Sequence, residues 1–464
     1  MSAQMSEPPV LRKSPAPPPG RIRGRSGAAL AVIAGCNAMI QLDDPIVNIA
    51  LPGMREGLGL SAVGASWVIN AYLLAFGGLL LLGGRAGDIL GRRRVFLAGV
   101  ALFTAAASLR GLVPSTEALV AVRAVQGAGA ALAAPSGLAL LLSTFGEGAS
   151  RKRAIAVCTT VGAVSTAGGL LLAGALTSLS SWRWVLFLDV PLGLAILLVA
   201  PLVLDETARH HGRFDLAGAL LSALGAASLV YGLARAAERP WSDPVVVGCV
   251  LAGLALLVVF AAVERRAQQP IVVPRLFADR SRLLAYLGTL AVPGALIGTY
   301  FFLNQYFQQQ HGWSALTTAC ALLPLPVTMA VTASVAVRLE RRTGARRMWA
   351  AGAALLSSGN LWLATLEAGD DYMVTVLPAL VLLGAGMAFS VLPPTVLATS
   401  GLRGDEAGAA ASVLNSLQSV GGSIGLACLV MVATHTGGMA GGFTASASFA
   451  GLVLLAALLL GRHR

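Results

Sequence analysis

The chain has 464 residues, 56% of them hydrophobic and 12% charged, with a mean hydropathy of +0.76 and a formal net charge of +12. A soluble domain carries about 25% charged residues, so the composition excludes an ordinary soluble globular protein. The positive charge does not indicate a nucleic-acid partner, because it lies in short gaps between long apolar stretches, where membrane insertion and anionic lipid account for it.

Residues 1–26 are rich in Pro and Arg, with no apolar core and no cleavage site, and they read as a disordered cytoplasmic tail. Fourteen apolar runs follow, near 29–50, 62–82, 95–113, 117–144, 154–176, 184–204, 215–235, 245–263, 283–309, 314–337, 348–366, 373–398, 407–433 and 443–461. Most reach the ~20 residues that a helix needs to cross a ~30 Å hydrocarbon layer. The first of them, preceded by the uncleaved tail, serves as a signal anchor. Of the 33 Lys and Arg residues, 27 fall in the tails and the even-numbered gaps. Only Arg55, Arg110, Arg183, Arg235 and Arg239 fall in the odd gaps and span edges, and Arg123 alone is inside a span. Basic loops stay cytoplasmic during insertion, so both termini are expected in the cytoplasm. Cys36, Cys158, Cys249, Cys320 and Cys428 all sit in apolar runs as small packing residues, without the spacing of a disulfide or metal framework.

An internal repeat is legible in two loops. RAGDILGRRR (Arg85–Arg94) joins spans 2 and 3, and RLERRTGARR (Arg338–Arg347) joins spans 10 and 11. Each has an Arg, a Gly six residues later, then a basic cluster. The repeat divides the chain into a six-helix bundle over 27–205, two additional helices over 206–265 and a second six-helix bundle over 266–464. A duplicated half of this kind builds a binding site at the repeat interface.

The motifs resemble those of the fourteen-span drug:proton antiporters of the major facilitator superfamily. The loop GGRAGDILGRRRVF (Gly83–Phe96) is similar to the superfamily signature between spans 2 and 3, and LVAVRAVQGAGAA (Leu119–Ala131) to its span-4 signature. LDDPIVNIALP (Leu42–Pro52) is close to the family's span-1 pattern; SWRWVLFLDVPLG (Ser181–Gly193), RFDLAGA (Arg213–Ala219) and GAAASVLNSLQSVGGSIGLA (Gly408–Ala427) extend the likeness to the later spans. There are departures. GLLLAG (Gly169–Gly174) replaces the G-P-x-x-G-G of span 5, a motif associated with antiport; Pro45 stands where Thr is usual, and Asp189 where Asn is usual. The resemblance implies an all-α membrane protein with the major facilitator fold: two six-helix bundles plus two inserted helices, fourteen transmembrane helices in all.

An ionisable residue at membrane depth is a functional hypothesis by default. Asp43, Asp44 and Arg123 lie within spans, and Asp189 at the mouth of span 6. At ~1.5 Å per residue, Asp43 and Arg123 lie at similar depths below the outer rim. Burial favours a neutral acid and a neighbouring guanidinium favours the anion, so movement of Arg123 would switch proton affinity. Neighbouring helix positions point about 100° apart, so only one of Asp43 and Asp44 can face Arg123 squarely. The resemblance favours Asp43, with Asp44 in reserve. The plain alternative is a static ion pair that fixes helix packing.

Gly84, Arg85, Asp88, Gly91, Arg92 and Arg94 read as a gate, the glycines permitting a tight turn between packed helices. The resemblance implies that Asp88 meets the start of span 13, near Asp405–Ala407, where a helix N-terminus attracts an anion. Polar and aromatic groups inside apolar spans are the substrate-cavity candidates: Trp67, Asn70, Tyr72, Gln126, Tyr300, Asn304, Gln305, Tyr306, Asn415 and Gln418. Helix–helix hydrogen bonds or interface anchoring would explain the same residues.

The function implied is proton-coupled export of amphipathic drug-like or antibiotic molecules across the plasma membrane by a monomer, with no cofactor, no metal and no catalytic residue. Uptake or exchange of a small metabolite by the same fold is the alternative that the altered span-5 motif keeps open. An intramembrane enzyme is remote, because Asp43-Asp44 and Asp370-Asp371 lack metal-binding spacing. No P-loop is present, so direct drive by ATP is not expected.

Overall fold

The computed structural model describes residues 19–146, 148–207, 216–266, 274–367, 369–402, 404–436 and 438–460; the side chains of 19–25, 62, 216, 274–275, 337, 341 and 404–409 are outside the description. The described residues form helices and turns, with no strand among them. The expected tail lies outside the described residues as far as 18, and helix α1 (Pro19–Leu58) already includes 19–26. The following helices are α2 (Ala62–Leu90), α3 (Arg92–Arg110), α4 (Thr116–Thr144), α5 (Ala149–Leu179), the short α6 (Trp182–Val185), α7 (Asp189–Val203), α8 (Leu216–Arg235) and α9 (Pro244–Arg266). After them come α10 (Arg280–Gln305), α11 (Ala315–Leu322), α12 (Pro324–Thr343), α13 (Ala345–Leu363), α14 (Leu377–Thr399), α15 (Gly404–His435) and α16 (Met439–Leu459).

Local chemistry sets where these helices start and stop. Ser61 and Ser115 accept hydrogen bonds from the amides of Gly64 and Ala118 at 3.0 and 3.3 Å, capping α2 and α4. Asp279 caps α10 through the Arg282 amide at 2.9 Å. The two loops of the internal repeat are built alike. Gly91 alone separates α2 from α3 with φ 107°, and Gly344 alone separates α12 from α13 with φ 79°. Both are conformations that a residue with a Cβ rarely adopts, which is why each loop has Gly at the same distance from its leading Arg.

Every apolar run of the sequence corresponds to helix, but not always to one straight helix. The sixth is broken between α6 and α7, and the tenth divides at Pro324 between α11 and α12. Among the described residues twelve helical segments are long and apolar enough to cross a membrane; α3 and α13 fall outside that group. Each of the two has 19 residues and opens on arginines, Arg92–Arg94 in α3 and Arg346–Arg347 in α13, which shortens its apolar length.

α1 packs on α5 and α7, and α4 packs on α2 and α3; α10 packs on α15 and α16, and α13 on α14 and α16. Small residues bring these helices together. A Cβ on Gly83 would collide with the Ala131 carbonyl, and one on Gly127 with the Tyr72 carbonyl, so α2 and α4 touch backbone to backbone. α2 packs on α15 and α5 on α11, while α8 and α9 pair together and α8 rests on both α2 and α15. Large apolar side chains such as Val164, Leu198, Leu202, Val258 and Leu452 face outward, a surface that suits lipid and not water. One end of the molecule carries the basic turns around Arg92–Arg94, Arg151–Arg153, Arg265–Arg266 and Arg346–Arg347; the other carries few basic residues.

Candidate functional site

Asp43 on α1 is completely buried, and its two oxygens are fully engaged. Oδ1 accepts from Arg110 Nη1 in a short ion pair and from Gln126 Nε2 at 2.9 Å; Oδ2 accepts from Arg123 Nη1 at 2.5 Å. Gln126 Oε1 in turn accepts from Arg110 at 3.1 Å and from Arg123 at 3.0 Å. The Arg123 side chain is positioned by the Val68 carbonyl, which accepts from Nε at 2.9 Å, and by the Tyr72 ring, whose centroid lies 4.5 Å from the guanidinium carbon.

Arg110 was the site residue that sequence reasoning missed. It was counted among the span-edge arginines of the odd gaps, yet it is 0% exposed. Its Nη2 pairs with Asp189 Oδ2 at 2.5 Å and its Nε donates to the Leu186 carbonyl at 3.0 Å. The broken sixth span makes this possible. The Val190 amide bonds to the Phe187 carbonyl, three residues back, which leaves the Leu186 carbonyl for a side-chain donor. Asp189, read as lying at the mouth of its span, is likewise buried, as the first residue of α7. The signal in the sequence was that Arg110 lies three residues inside the apolar run 95–113.

Asp44 differs from its neighbour. It is partly exposed, and no hydrogen bond or ion pair joins it to a described residue. Together with Asn37, Gln41 and Asn48 it forms a stripe at spacings of four, three and four residues, which puts all four on one face of α1. Gln41 is exposed although its neighbours at 38–40 and 43 are buried, and Asn37 Nδ2 donates to the Cys158 carbonyl at 2.9 Å, so this face runs along α5. Pro45, which cannot donate to the carbonyl four residues back, frees the Gln41 carbonyl on the same stretch.

Near the arginine-poor end, α1 is clasped to α10. Pro52 frees the Asn48 carbonyl, which accepts from Asn304 Nδ2 in a short bond. Gln308 Nε2 donates to the Ile49 carbonyl at 3.2 Å and to Asn304 Oδ1 at 2.6 Å. Arg55 Nη1 donates to Gln305 Oε1 at 2.9 Å and to Gln309 Oε1 at 3.1 Å. α5 and α11 close the same end, with Ser178 Oγ accepting from the Leu316 amide at 3.0 Å. Gly174 lies so close to the Ala315 carbonyl that a Cβ would clash at 2.8 Å, while Leu170, in the place of the motif's proline, is buried.

The cavity candidates therefore separate. Gln126 belongs to the charge cluster, and Asn304 and Gln305 belong to the clasp. Tyr306 donates to the Glu367 carbonyl at 2.8 Å. Trp67 turns toward α8, its ring 5.8 Å from Tyr231. Asn70 and Tyr72 are buried, and their polar side-chain atoms have no partner. Tyr300 and Gln418 are partly exposed and Asn415 is exposed, and no hydrogen bond of their side chains to a described residue holds them. An apolar groove of about 370 Å³ between α10, α15 and α16, lined by residues such as Leu287, Ile424 and Phe449, has no charged side chain on its walls and lies apart from this chemistry.

The turn between α2 and α3 brings the gate residues together. Asp88 accepts from Arg92 Nε at 3.1 Å and Nη2 at 3.0 Å. Glu206, just past α7 and also missed, accepts from the Arg93 amide at 3.1 Å and lies 3.7 Å from Arg94. A Cβ at Gly91 would lie 2.8 Å from the Glu206 carboxylate, a side-chain end that can shift, so it is the positive φ that calls for glycine here. Gly84 faces Pro135, and Arg85 is engaged. The expected partner of Asp88 around Asp405–Ala407 lies outside the described side chains.

The family description "Major Facilitator Superfamily" matches residues 33–426. The chain is 40% identical to a puromycin resistance protein of Streptomyces alboniger, over 87% of this chain and 81% of that protein. It is 37% identical to a cephamycin export protein of Amycolatopsis lactamdurans, over 89% and 86%. Among solved structures, a peptide transporter with bound sulfate superposes with a TM-score of 0.70 at 14% identity, covering 93% of each chain, a likeness of fold alone.

Proposed function

This chain belongs to the major facilitator superfamily, a family of membrane transporters and not of enzymes, and from that premise we propose that it exports drug-like or antibiotic molecules from the cell by proton-coupled alternating access. The observation that carries the coupling is the buried cluster of Asp43, Arg110, Arg123 and Asp189 beside the partly exposed Asp44. Ionised groups at membrane depth are retained where they move ions or substrates. The export direction is supported by the relatives, whose names state puromycin resistance and cephamycin export.

In this reading the chain crosses the plasma membrane fourteen times, α3 and α13 included, as two six-helix bundles with α8 and α9 outside them. The arginine-rich end faces the cytoplasm, as positive-inside insertion requires. The α1–α10 clasp then closes the extracellular side, and the stripe of Asn37, Gln41 and Asp44 is reached from the cytoplasm. Drug enters a cleft bordered by that stripe, Tyr300, Asn415 and Gln418. Exchange of one closed end for the other moves it across, with a proton entering from outside on the return. Asp88 and its turn close the cytoplasmic side in the opposite state.

A growth-inhibition panel tests the direction. Cells expressing the chain should tolerate more puromycin or cephamycin, the compounds in the names of the two relatives, than cells without it. Increased sensitivity, or stimulated growth on a limiting metabolite, would instead support uptake, the alternative that Leu170 in the span-5 motif keeps open.

A further inference from the structure

We propose that Asp44 carries the one transported proton of this chain, and that Asp43, the acid matched by the family resemblance, is a permanent anion. The inference rests on the proton-coupled reading and refines it. Asp43 receives three N–H donors from two guanidiniums and one amide and is sealed from the cleft. Protonating it would cost two ion pairs at once in a medium where an unpaired charge is expensive. Asp189 holds Arg110 with one oxygen; its other oxygen has no partner but is equally sealed, so no proton reaches it from the cleft. Of the three acids, Asp44 is the one that combines partial exposure with no ion pair to a described residue.

Charge counting gives the stoichiometry. Asp43, Asp44 and Asp189 are three carboxylates set against the two guanidiniums of Arg110 and Arg123. With all of them ionised, one negative charge is uncompensated within the membrane, and one proton restores neutrality. The charged and titratable groups around Asp44 are few. Asp43 adjoins it on α1, Tyr72 faces it from α2 and Arg123 from α4, with Arg110 of α3 and Asp189 of α7 behind Asp43. Arg55 and Glu56 lie about three turns further along α1, and Arg183 of α6 donates to the Gly111 and Val113 carbonyls. From α5, α10 and α11 no Asp, Glu, Lys, Arg or His projects at this depth, since Arg151–Arg153 and Arg280–Arg282 occupy first turns. Binding a proton at Asp44 thus neutralises the cluster without disturbing the ion pairs that hold α1, α3, α4 and α7 together.

The test is infrared difference spectroscopy of the purified full chain in lipid nanodiscs, titrated from acid to alkaline pH without substrate. Wild type should show a carboxylic-acid C=O band from a buried group that disappears as pH rises, with release of one proton per molecule. That band and that proton should be missing in Asp44→Asn and present in Asp43→Asn. In Asp44→Glu the band should persist at a shifted frequency, which decides the matter if Asp44→Asn fails to fold. Survival of the same band in Asp44→Asn, at an unchanged frequency in Asp44→Glu, would overturn the assignment. A wild type with no such band would overturn the proton-coupled reading itself.

Discussion

Arg110 and Asp189 form a fully buried ion pair, Nη2 to Oδ2 at 2.5 Å, that joins the end of α3 to the start of α7. The other side of the same guanidinium reaches Asp43, so three helices converge on one side chain. Arg110→Leu should therefore destabilise the protein strongly, by about 3–5 kcal/mol, because it leaves Asp189 buried without a counter-charge. Arg110→Leu combined with Asp189→Leu should recover most of the loss. Unfolding of the purified variants in mixed detergent micelles measures both; equal stability of the single variant and wild type would mean that the pair holds nothing together.

Arg123 pairs with Asp43 and lies over the Tyr72 ring, and its charge also acts on Asp44. Arg123→Ala removes positive charge from the cluster, which favours the protonated acid. The pH dependence of drug transport should move upward. A profile that stays in place with only a lower maximum would limit Arg123 to packing.

How much of this site was legible beforehand depended on how each residue announces itself. Asp43 and Arg123 stand out as charges in the middle of apolar runs, and their pairing followed from equal depth. Arg110 does not, because three residues from the end of a run it looks like any positive-inside anchor; only the break between α6 and α7 shows where its donors go. The clasp was hidden for another reason. Asn304 and Gln305 look like cavity polar groups, and their partners on α1 are a proline-freed carbonyl and Arg55, whose hydrogen bonding is a property of helix proximity and not of spacing. The helix positions were read more easily, since hydropathy alone marks them, while breaks at Pro324 and after Val185 are tertiary features that hydropathy averages away.

Arg55 bonds two neutral glutamines, so the clasp is strong enough to form and weak enough to open. Gln305→Glu turns one of these bonds into an ion pair, adding about 0.2–1 kcal/mol to the closed side. Transport should slow by up to about fivefold, while drug binding from the cytoplasmic side is kept. Joining the cysteines of the double variant Arg55→Cys/Gln305→Cys with a cleavable bifunctional thiol reagent should block transport until the linker is cut. Undiminished transport by the cross-linked protein would show that α1 and α10 do not part during the cycle.

Asp88 is held by Arg92 in the state with the clasp closed. Its role in the opposite state predicts that Asp88→Asn reduces transport at least tenfold with little change in thermal stability, because a partly exposed i,i+4 pair contributes little to folding. Comparison of transport rate with melting temperature separates the two effects; a loss of both in proportion would make the turn a structural hairpin only.

Proton coupling is the central claim, and drug movement in proteoliposomes under an imposed pH gradient tests it most directly, with a compound selected by the growth panel. With the lumen acidic, the wild type should accumulate the drug against its gradient, lose that accumulation when a protonophore is added, and lose it equally in Asp44→Asn although the variant still binds drug. Accumulation that is indifferent to both the gradient and the protonophore would contradict the account.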